Sequence, residues 1–155
     1  MADKLWAKKV YKKAESKAES SDDFNNLAGS LCEKLGDKKW ARKIYKEAEE
    51  DYNIDKNKLA CSIIDYLGDK EWARKIYEEI ISEDVDAIST TSTAYNICKK
   101  LGDKEWAKKI YKKAEEKTKD NSDFDELAAS IHKNLGDEKW AKLLDQKAKE
   151  LEDDE

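Results

Sequence analysis

The stretch Leu35-Gly36-Asp37-Lys38-Lys39-Trp40-Ala41 is one of four copies of the pattern Leu-Gly-Asp-x-x-Trp-Ala in this chain. The other copies begin at Leu67, Leu101 and Leu135, and a partial copy, Trp6-Ala7, stands near the start of the sequence. Successive tryptophans are therefore 34, 32, 34 and 34 residues apart. A fixed period of this length is typical of stacked helical repeats.

Each copy predicts the end of one helix and the start of the next. The glycine can adopt the left-handed conformation that closes a helix, and the aspartate can cap the helix that follows. After the aspartate, apolar residues recur at the spacing of a helical stripe, as in Trp40, Ala41, Ile44, Tyr45 and Ala48. A second stripe precedes the turn, and it includes Leu27, Ala28 and Leu31 in the first repeat and Ile88, Ala94 and Ile97 in the third. The repeated unit is therefore predicted to contain two helices.

The periodicity predicts an all-α chain of about nine helices, at about 3–19, 22–34, 37–52, 55–66, 69–82, 85–100, 103–119, 122–134 and 137–151. The first helix, 1–19, precedes four two-helix repeats at 22–52, 55–82, 85–119 and 122–151. Ser122 and Asp125 suit a helix start near residue 122. The loops are short, so successive helices should be antiparallel neighbours. We expect a single domain that spans residues 1–155.

The composition fits helices with one buried stripe and charged outer faces. Charged residues make up 43% of the 155 residues, hydrophobic residues make up 39%, and proline is absent. The net charge is −5, and the two signs alternate along the helices, which is typical of a solvated surface. No segment resembles a signal peptide or is long and apolar enough to span a bilayer. Three cysteines suit a reducing compartment. We expect a soluble, cytoplasmic protein.

The second helices resemble those of the tetratricopeptide-repeat (TPR) family, in which Ala-x3-aromatic-x2-Ala recurs every 34 residues. The pattern is present at Ala7/Tyr11/Ala14, Ala41/Tyr45/Ala48 and Ala107/Tyr111/Ala114, and it weakens at Ala73/Tyr77/Ile80 and Ala141/Asp145/Ala148. The family's first-helix pattern is matched only at Gly29, so the chain resembles a divergent, TPR-like array. The resemblance implies a right-handed α-solenoid of antiparallel helix pairs whose first helices line a concave face.

That geometry predicts a peptide-binding surface on the concave face. Its residues would be mostly small and neutral, with two tyrosines as candidate anchors. The predicted set is Asn26, Ser30, Lys58, Ser62, Tyr66, Ser92, Tyr95, Asn96, Glu126 and Ser130. The clamp with which some family members bind acidic C-terminal peptides is not matched at the aligned positions, so we expect no binding of that kind.

No residue pattern indicates catalysis, a cofactor or a metal ion. His132, the single histidine, lies beside an apolar stripe and is expected to be half-buried packing. Cys32, Cys61 and Cys98 lack the spacing of a zinc site and are interpreted as small buried residues. The run Ser89–Thr93 is a poor helix former. It indicates either local divergence that packing tolerates, which we favour, or a hydroxyl-rich patch on the groove side.

The two ends of the array differ in sequence. In the last copy Asp145 replaces the aromatic residue of the other copies, as an exposed terminal face requires. The first helix keeps the full stripe of Trp6, Val10 and Tyr11 without a helix before it. That face is predicted to mediate self-association or to belong against a further repeat of a longer array.

The sequence favours a non-enzymatic scaffold that binds a protein or peptide through its concave face. The near-identity of the repeats also fits a designed or consensus-type scaffold with no native ligand. A helical-repeat RNA binder is a further alternative, but it would need a basic face, and we expect neither a nucleic-acid nor a membrane partner.

Overall fold

The computed structural model describes residues 2–50 and 53–153, and within them the chain forms nine helices and no strand, so the all-α prediction is confirmed. The helices are α1 (Ala2–Glu15), α2 (Ser21–Ser30), α3 (Lys38–Glu49), α4 (Lys56–Ser62), α5 (Lys70–Ser82), α6 (Ala87–Asn96), α7 (Lys104–Lys117), α8 (Asn121–Leu135) and α9 (Glu138–Asp153). Helices α2, α4 and α6 each continue into a widened π-helical turn, at Leu31–Leu35, Ile63–Leu67 and Ile97–Leu101.

The repeated Leu-Gly-Asp turn has the conformation that the sequence predicts. The four glycines have φ angles of 67°, 73°, 75° and 69°, in the left-handed region that favours glycine. The aspartate that follows each glycine accepts a hydrogen bond from the backbone N–H of the tryptophan three residues later, at 3.0 to 3.2 Å. These bonds satisfy one of the free N–H groups at each helix start and fix where α3, α5, α7 and α9 begin.

One predicted helix end and one predicted cap are wrong. Helix α1 ends at Glu15 and not near 19, because the backbone turns at Ser16–Lys17, and Ser20 then caps α2. The predicted last residues of α3, 51 and 52, lie outside the described residues. Helix α8 begins at Asn121, and its cap is Asp120, not Ser122, because the Asp120 carboxylate accepts the Asp123 N–H at 2.8 Å.

The chain divides into two compact units, Met1–Ile76 and Tyr77–Glu155, and the division falls within α5. In the first unit α2 packs on α3, and α4 contacts both of them. The centre of this unit contains fully buried side chains, among them Leu31, Ile44, Tyr45, Leu59 and Ile63. Burial of such side chains is the main source of stability in a helical domain.

The second unit has the same kind of centre. Helix α6 packs on α7, α8 packs on α9, and α8 also contacts α6 and α7. The fully buried side chains include Ile97, Tyr111, Leu127, Ile131 and Leu144. Small alanines at Ala94, Ala107 and Ala128 are also buried, which allows the helices to approach closely.

Candidate binding surfaces

The indole nitrogens of three repeated tryptophans are bound by carboxylates. Trp40 Nε1 donates to Glu15 Oε2 at 3.2 Å, Trp72 Nε1 donates to Glu49 Oε1 at 3.0 Å, and Trp140 Nε1 donates to Glu115 Oε2 at 2.9 Å. In each case the glutamate directly follows the last alanine of the preceding second helix. The three tryptophans are half-buried and not part of a fully enclosed core.

Lysines contact the same carboxylates. Lys147 Nζ lies 2.6 Å from Glu115 Oε1, and Lys43 Nζ lies 3.8 Å from Glu15 Oε1. Burial alone would raise the pKa of Glu115, but the hydrogen bonds from Lys147 and Trp140 outweigh it and lower the pKa. The tryptophan and lysine together hold the glutamate in its charged form.

The capping aspartates are also paired with cations. Arg42 lies 2.7 Å from Asp69 and Lys108 lies 3.3 Å from Asp137. The backbone N–H of Trp72, and then Arg42, lower the pKa of Asp69. The Arg42 guanidinium also lies 5.4 Å from the centre of the Trp72 ring, within the range of a cation–π contact. These glutamates and capping aspartates are therefore engaged in structural pairs.

The second unit brings four of the ten predicted binding residues together. Ser92 and Tyr95 of α6 and Glu126 and Ser130 of α8, with Thr91, line a depression of about 220 Å³. Tyr95 is 40% exposed. Asn96 is half-buried on α6.

Sequence reasoning missed Ile88 as a surface residue and placed it in the buried stripe. Ile88 is 49% exposed, and Ala87 is buried in its place. Ile88 lies two helical turns before Tyr95, so the two apolar side chains are on the same side of α6. That spacing of seven residues was visible in the sequence.

In the first unit the predicted residues have different surroundings. Asn26 and Ser30 line a depression of about 460 Å³ beside Tyr11. Lys58 pairs with Asp22 at 2.6 Å, and Ser62 is half-buried.

Tyr66, the second candidate anchor, packs within the first unit. Its ring lies over Gly29, where a β-carbon would stand 2.9 Å from the ring. The close approach requires glycine at this position. Tyr66 is half-buried for this reason, whereas Tyr95 presents more of its side chain to solvent.

The run Ser89–Thr93 does not form a hydroxyl-rich patch. Thr90, Thr91 and Thr93 are buried. The hydroxyls of Thr90 and Thr93 donate to the carbonyls of Asp86 and Ser89, four residues earlier, at 2.7 and 2.8 Å. Such bonds satisfy a hydroxyl group within its own helix. The interpretation as local divergence is therefore supported, and within this run the lining of the depression is provided by Thr91 and Ser92.

The interpretation of His132 as half-buried packing is wrong, because its side chain is exposed on α8. Cys98 is buried and its thiol lies 3.6 Å from the carbonyl oxygen of Asn134, while Cys32 and Cys61 are half-buried. Within the described residues no group of three or more histidine, cysteine, aspartate or glutamate side chains could hold a metal ion.

The exposed stripe of α1 agrees with the sequence. Leu5, Trp6 and Val10 are 62%, 70% and 45% exposed, while Tyr11 is half-buried and meets the Trp40 ring edge-on, with 6.5 Å between ring centres. Asp145 of α9 is exposed where Tyr45, Tyr77 and Tyr111 are buried.

Comparisons with protein-family models, with curated proteins and with solved structures find no match to this chain. Among the described helices, none combines the length and the apolar character that crossing a membrane would require.

Proposed function

We propose that this chain is a non-enzymatic, TPR-like α-solenoid of antiparallel helix pairs that binds a protein or peptide through its first helices. Four similar repeats support this proposal, because in each of them the motif Leu-Gly-Asp-x-x-Trp-Ala ends one helix and caps the next. What differs between repeats is the outer surface of the first helices. Specific binding is therefore expected where those surfaces differ, and a cytoplasmic location goes with the proposal.

The observation that carries the proposal is the surface of α6 and α8 around Tyr95. It combines an exposed aromatic ring, the apolar side chain of Ile88 and the polar groups of Ser92, Glu126 and Ser130. Binding surfaces commonly consist of an aromatic anchor surrounded by polar groups. Ser130 is held in place, because its hydroxyl lies 2.8 Å from the hydroxyl of the buried Tyr111.

The same surface is a poor candidate for catalysis or RNA binding. The carboxylate in its lining, Glu126, is exposed on α8, and the histidine of the chain lies outside this lining. General acid–base catalysis needs a side chain that is held within hydrogen-bond reach of the proton it transfers on a bound substrate. RNA binding needs a run of cations with exposed aromatic rings, whereas this lining contains a carboxylate and no lysine or arginine.

Selection of random peptides displayed on phage, with the folded chain immobilised, tests the proposal. Selected peptides should shift the backbone amide resonances of residues 92, 95, 126 and 130 in NMR spectra. Replacing a central aromatic anchor costs about 2 kcal/mol, so Tyr95→Ala should weaken binding about 30-fold. The matched control is Leu143→Ala, which removes another exposed apolar side chain of the second unit. Peptides whose binding is unchanged by Tyr95→Ala would contradict the proposed site.

A further inference from the structure

The exposed face of α1 is an apolar surface separate from the Tyr95 surface. Leu5, Trp6 and Val10 lie on one side of this helix, and Trp6 is 70% exposed. A tryptophan ring has a large apolar area and an N–H donor, and it is commonly buried in interfaces when it stands on a surface.

Two other copies of the tryptophan indicate which chemical group the α1 face can bind. Trp40 and Trp140 each donate to a glutamate carboxylate, and a lysine of the same helix pairs with that carboxylate. The lysine is three residues after the tryptophan in one case, Lys43, and seven residues after it in the other, Lys147. Three and seven residues place both lysines on the same side of the helix as the tryptophan.

Helix α1 carries a lysine at both of these positions. Lys9 follows Trp6 by three residues and Lys13 follows it by seven, and both side chains are exposed. An indole N–H and one ammonium group, at one or the other of these two positions, hold a glutamate elsewhere in the chain. Charge-assisted hydrogen bonds of this kind are stronger than neutral ones.

The charge of the helix disfavours a second copy of this chain as the occupant. Helix α1 contains five lysines and two acidic residues. Two copies of the face brought together would set Lys9 and Lys13 against lysines of the other copy, which disfavours symmetric self-association. Stacking of α9 from a second copy is also disfavoured, because Lys149 stands where α1, α3 and α7 carry Glu15, Glu49 and Glu115.

We propose that the α1 face binds an acidic amphipathic helix of another protein. The partner helix lays an apolar stripe on Leu5, Trp6 and Val10. A glutamate at the end of that stripe accepts a hydrogen bond from Trp6 Nε1, and Lys9 and Lys13 pair with this glutamate and with neighbouring acidic residues. The contact reproduces, between two proteins, the one that Glu115 makes with Trp140 and Lys147 within this chain.

The probe is a synthetic peptide of residues 37–50, capped at both ends, with Lys38→Glu, Lys39→Glu and Lys46→Glu. It contains Glu49, which accepts a hydrogen bond from the Trp72 indole in the chain, on an acidic helix. Its matched control is the same peptide with Glu49→Gln. Calorimetry should show binding at low salt that weakens at high salt, and about tenfold weaker binding of the control peptide.

Variants of the protein locate the contact. Trp6→Ala and Lys9→Glu should each weaken binding of the acidic peptide about tenfold or more. Lys4→Glu makes the same charge change on the opposite side of α1 and should have a small effect. All three positions are exposed, so the melting temperature should stay close to that of the parent.

Three results would overturn the proposal. The first is a monomer in sedimentation velocity that does not bind the acidic peptide. The second is a dimer that Trp6→Ala dissociates, which would assign the face to a second copy of the chain. The third is a loss of binding on Lys4→Glu as large as that on Lys9→Glu, which would leave only non-specific attraction between charges.

Discussion

Tyr45 in the first unit and Tyr111 in the second hold the same place in the repeated second helix, five residues after the tryptophan, and both are fully buried. Their hydroxyl groups differ. The Tyr111 hydroxyl lies 2.8 Å from Ser130 Oγ and accepts a hydrogen bond from Asn134 Nδ2 at 3.2 Å. The Tyr45 hydroxyl is buried and, within the described residues, has no hydrogen-bond partner.

The difference comes from the first helix that follows each tyrosine. Counted back from the leucine of the Leu-Gly-Asp turn, Ser62 and Tyr66 are aligned with Ser130 and Asn134. The first unit therefore has a tyrosine where the second has an amide donor, and the Tyr66 ring lies over Gly29. The shared position in the second helix buries both tyrosines, whereas a residue of the following first helix determines whether the hydroxyl is satisfied.

Removal of the two hydroxyl groups should give opposite results, and this is the largest expected effect. Tyr111→Phe removes the hydroxyl that contacts both Ser130 and the buried Asn134, leaves these two side chains only their bonds to each other, and should lower the free energy of unfolding by about 1–2 kcal/mol. Tyr45→Phe removes an unsatisfied buried group and should leave stability unchanged or raise it by up to about 1 kcal/mol. Urea unfolding followed by circular dichroism measures both. Equal losses in the two variants would mean that Tyr45 has a partner.

The capping aspartates should show no such contrast, because each accepts the backbone N–H of the tryptophan in its own copy of the motif. Asp69→Ala and Asp137→Ala should each lower the free energy of unfolding by about 1 kcal/mol. Asp69→Asn and Asp137→Asn keep a capping oxygen and should lose only a few tenths of a kcal/mol, because the paired cations are partly exposed. The same urea titrations measure these losses. A cost confined to one unit would show that the ion pairs to Arg42 and Lys108 are not equivalent.

These cases mark how far the sequence determines the structure. The left-handed glycines, the aspartate caps and the buried stripe of each second helix depend on residues close in the chain, and they could be predicted. His132 was predicted to be half-buried because the aligned residues of two other repeats, Ile64 and Cys98, are apolar. Its actual exposure depends on which helices pack around α8, and the aligned residues do not report this. The predicted burial of Ile88 is also wrong, because Ala87, and not Ile88, is the buried residue at the start of α6.

Replacing Tyr66 by asparagine should give the Tyr45 hydroxyl the kind of partner that the Tyr111 hydroxyl has in the second unit. Tyr66→Asn places an amide four residues after Ser62, as Asn134 stands four residues after Ser130. In this background Tyr45→Phe should cost stability, and the double-mutant cycle should give a coupling of about 0.5–1 kcal/mol. Tyr66→Phe is the matched control, because it keeps the ring over Gly29 and adds no amide. A coupling near zero for Tyr66→Asn would show that the widened turn at Ile63–Leu67 holds the new amide away from Tyr45.

Alkaline pH should reveal the burial of Tyr45 through a smaller effect. Burial raises the pKa of the Tyr45 hydroxyl above its value in the unfolded chain, so the folded state keeps its proton while the unfolded state loses it. The stability that this group contributes is complete below the unfolded pKa, near 10, and falls as pH rises toward the folded pKa. Between about pH 9.5 and 10.5 the loss from one such tyrosine is about 0.7 kcal/mol. The parent chain should therefore lose more stability over this interval than Tyr45→Phe does, and lysine titration is common to both. Urea midpoints at the two pH values measure the difference, and parallel losses would mean that the Tyr45 hydroxyl is open to water.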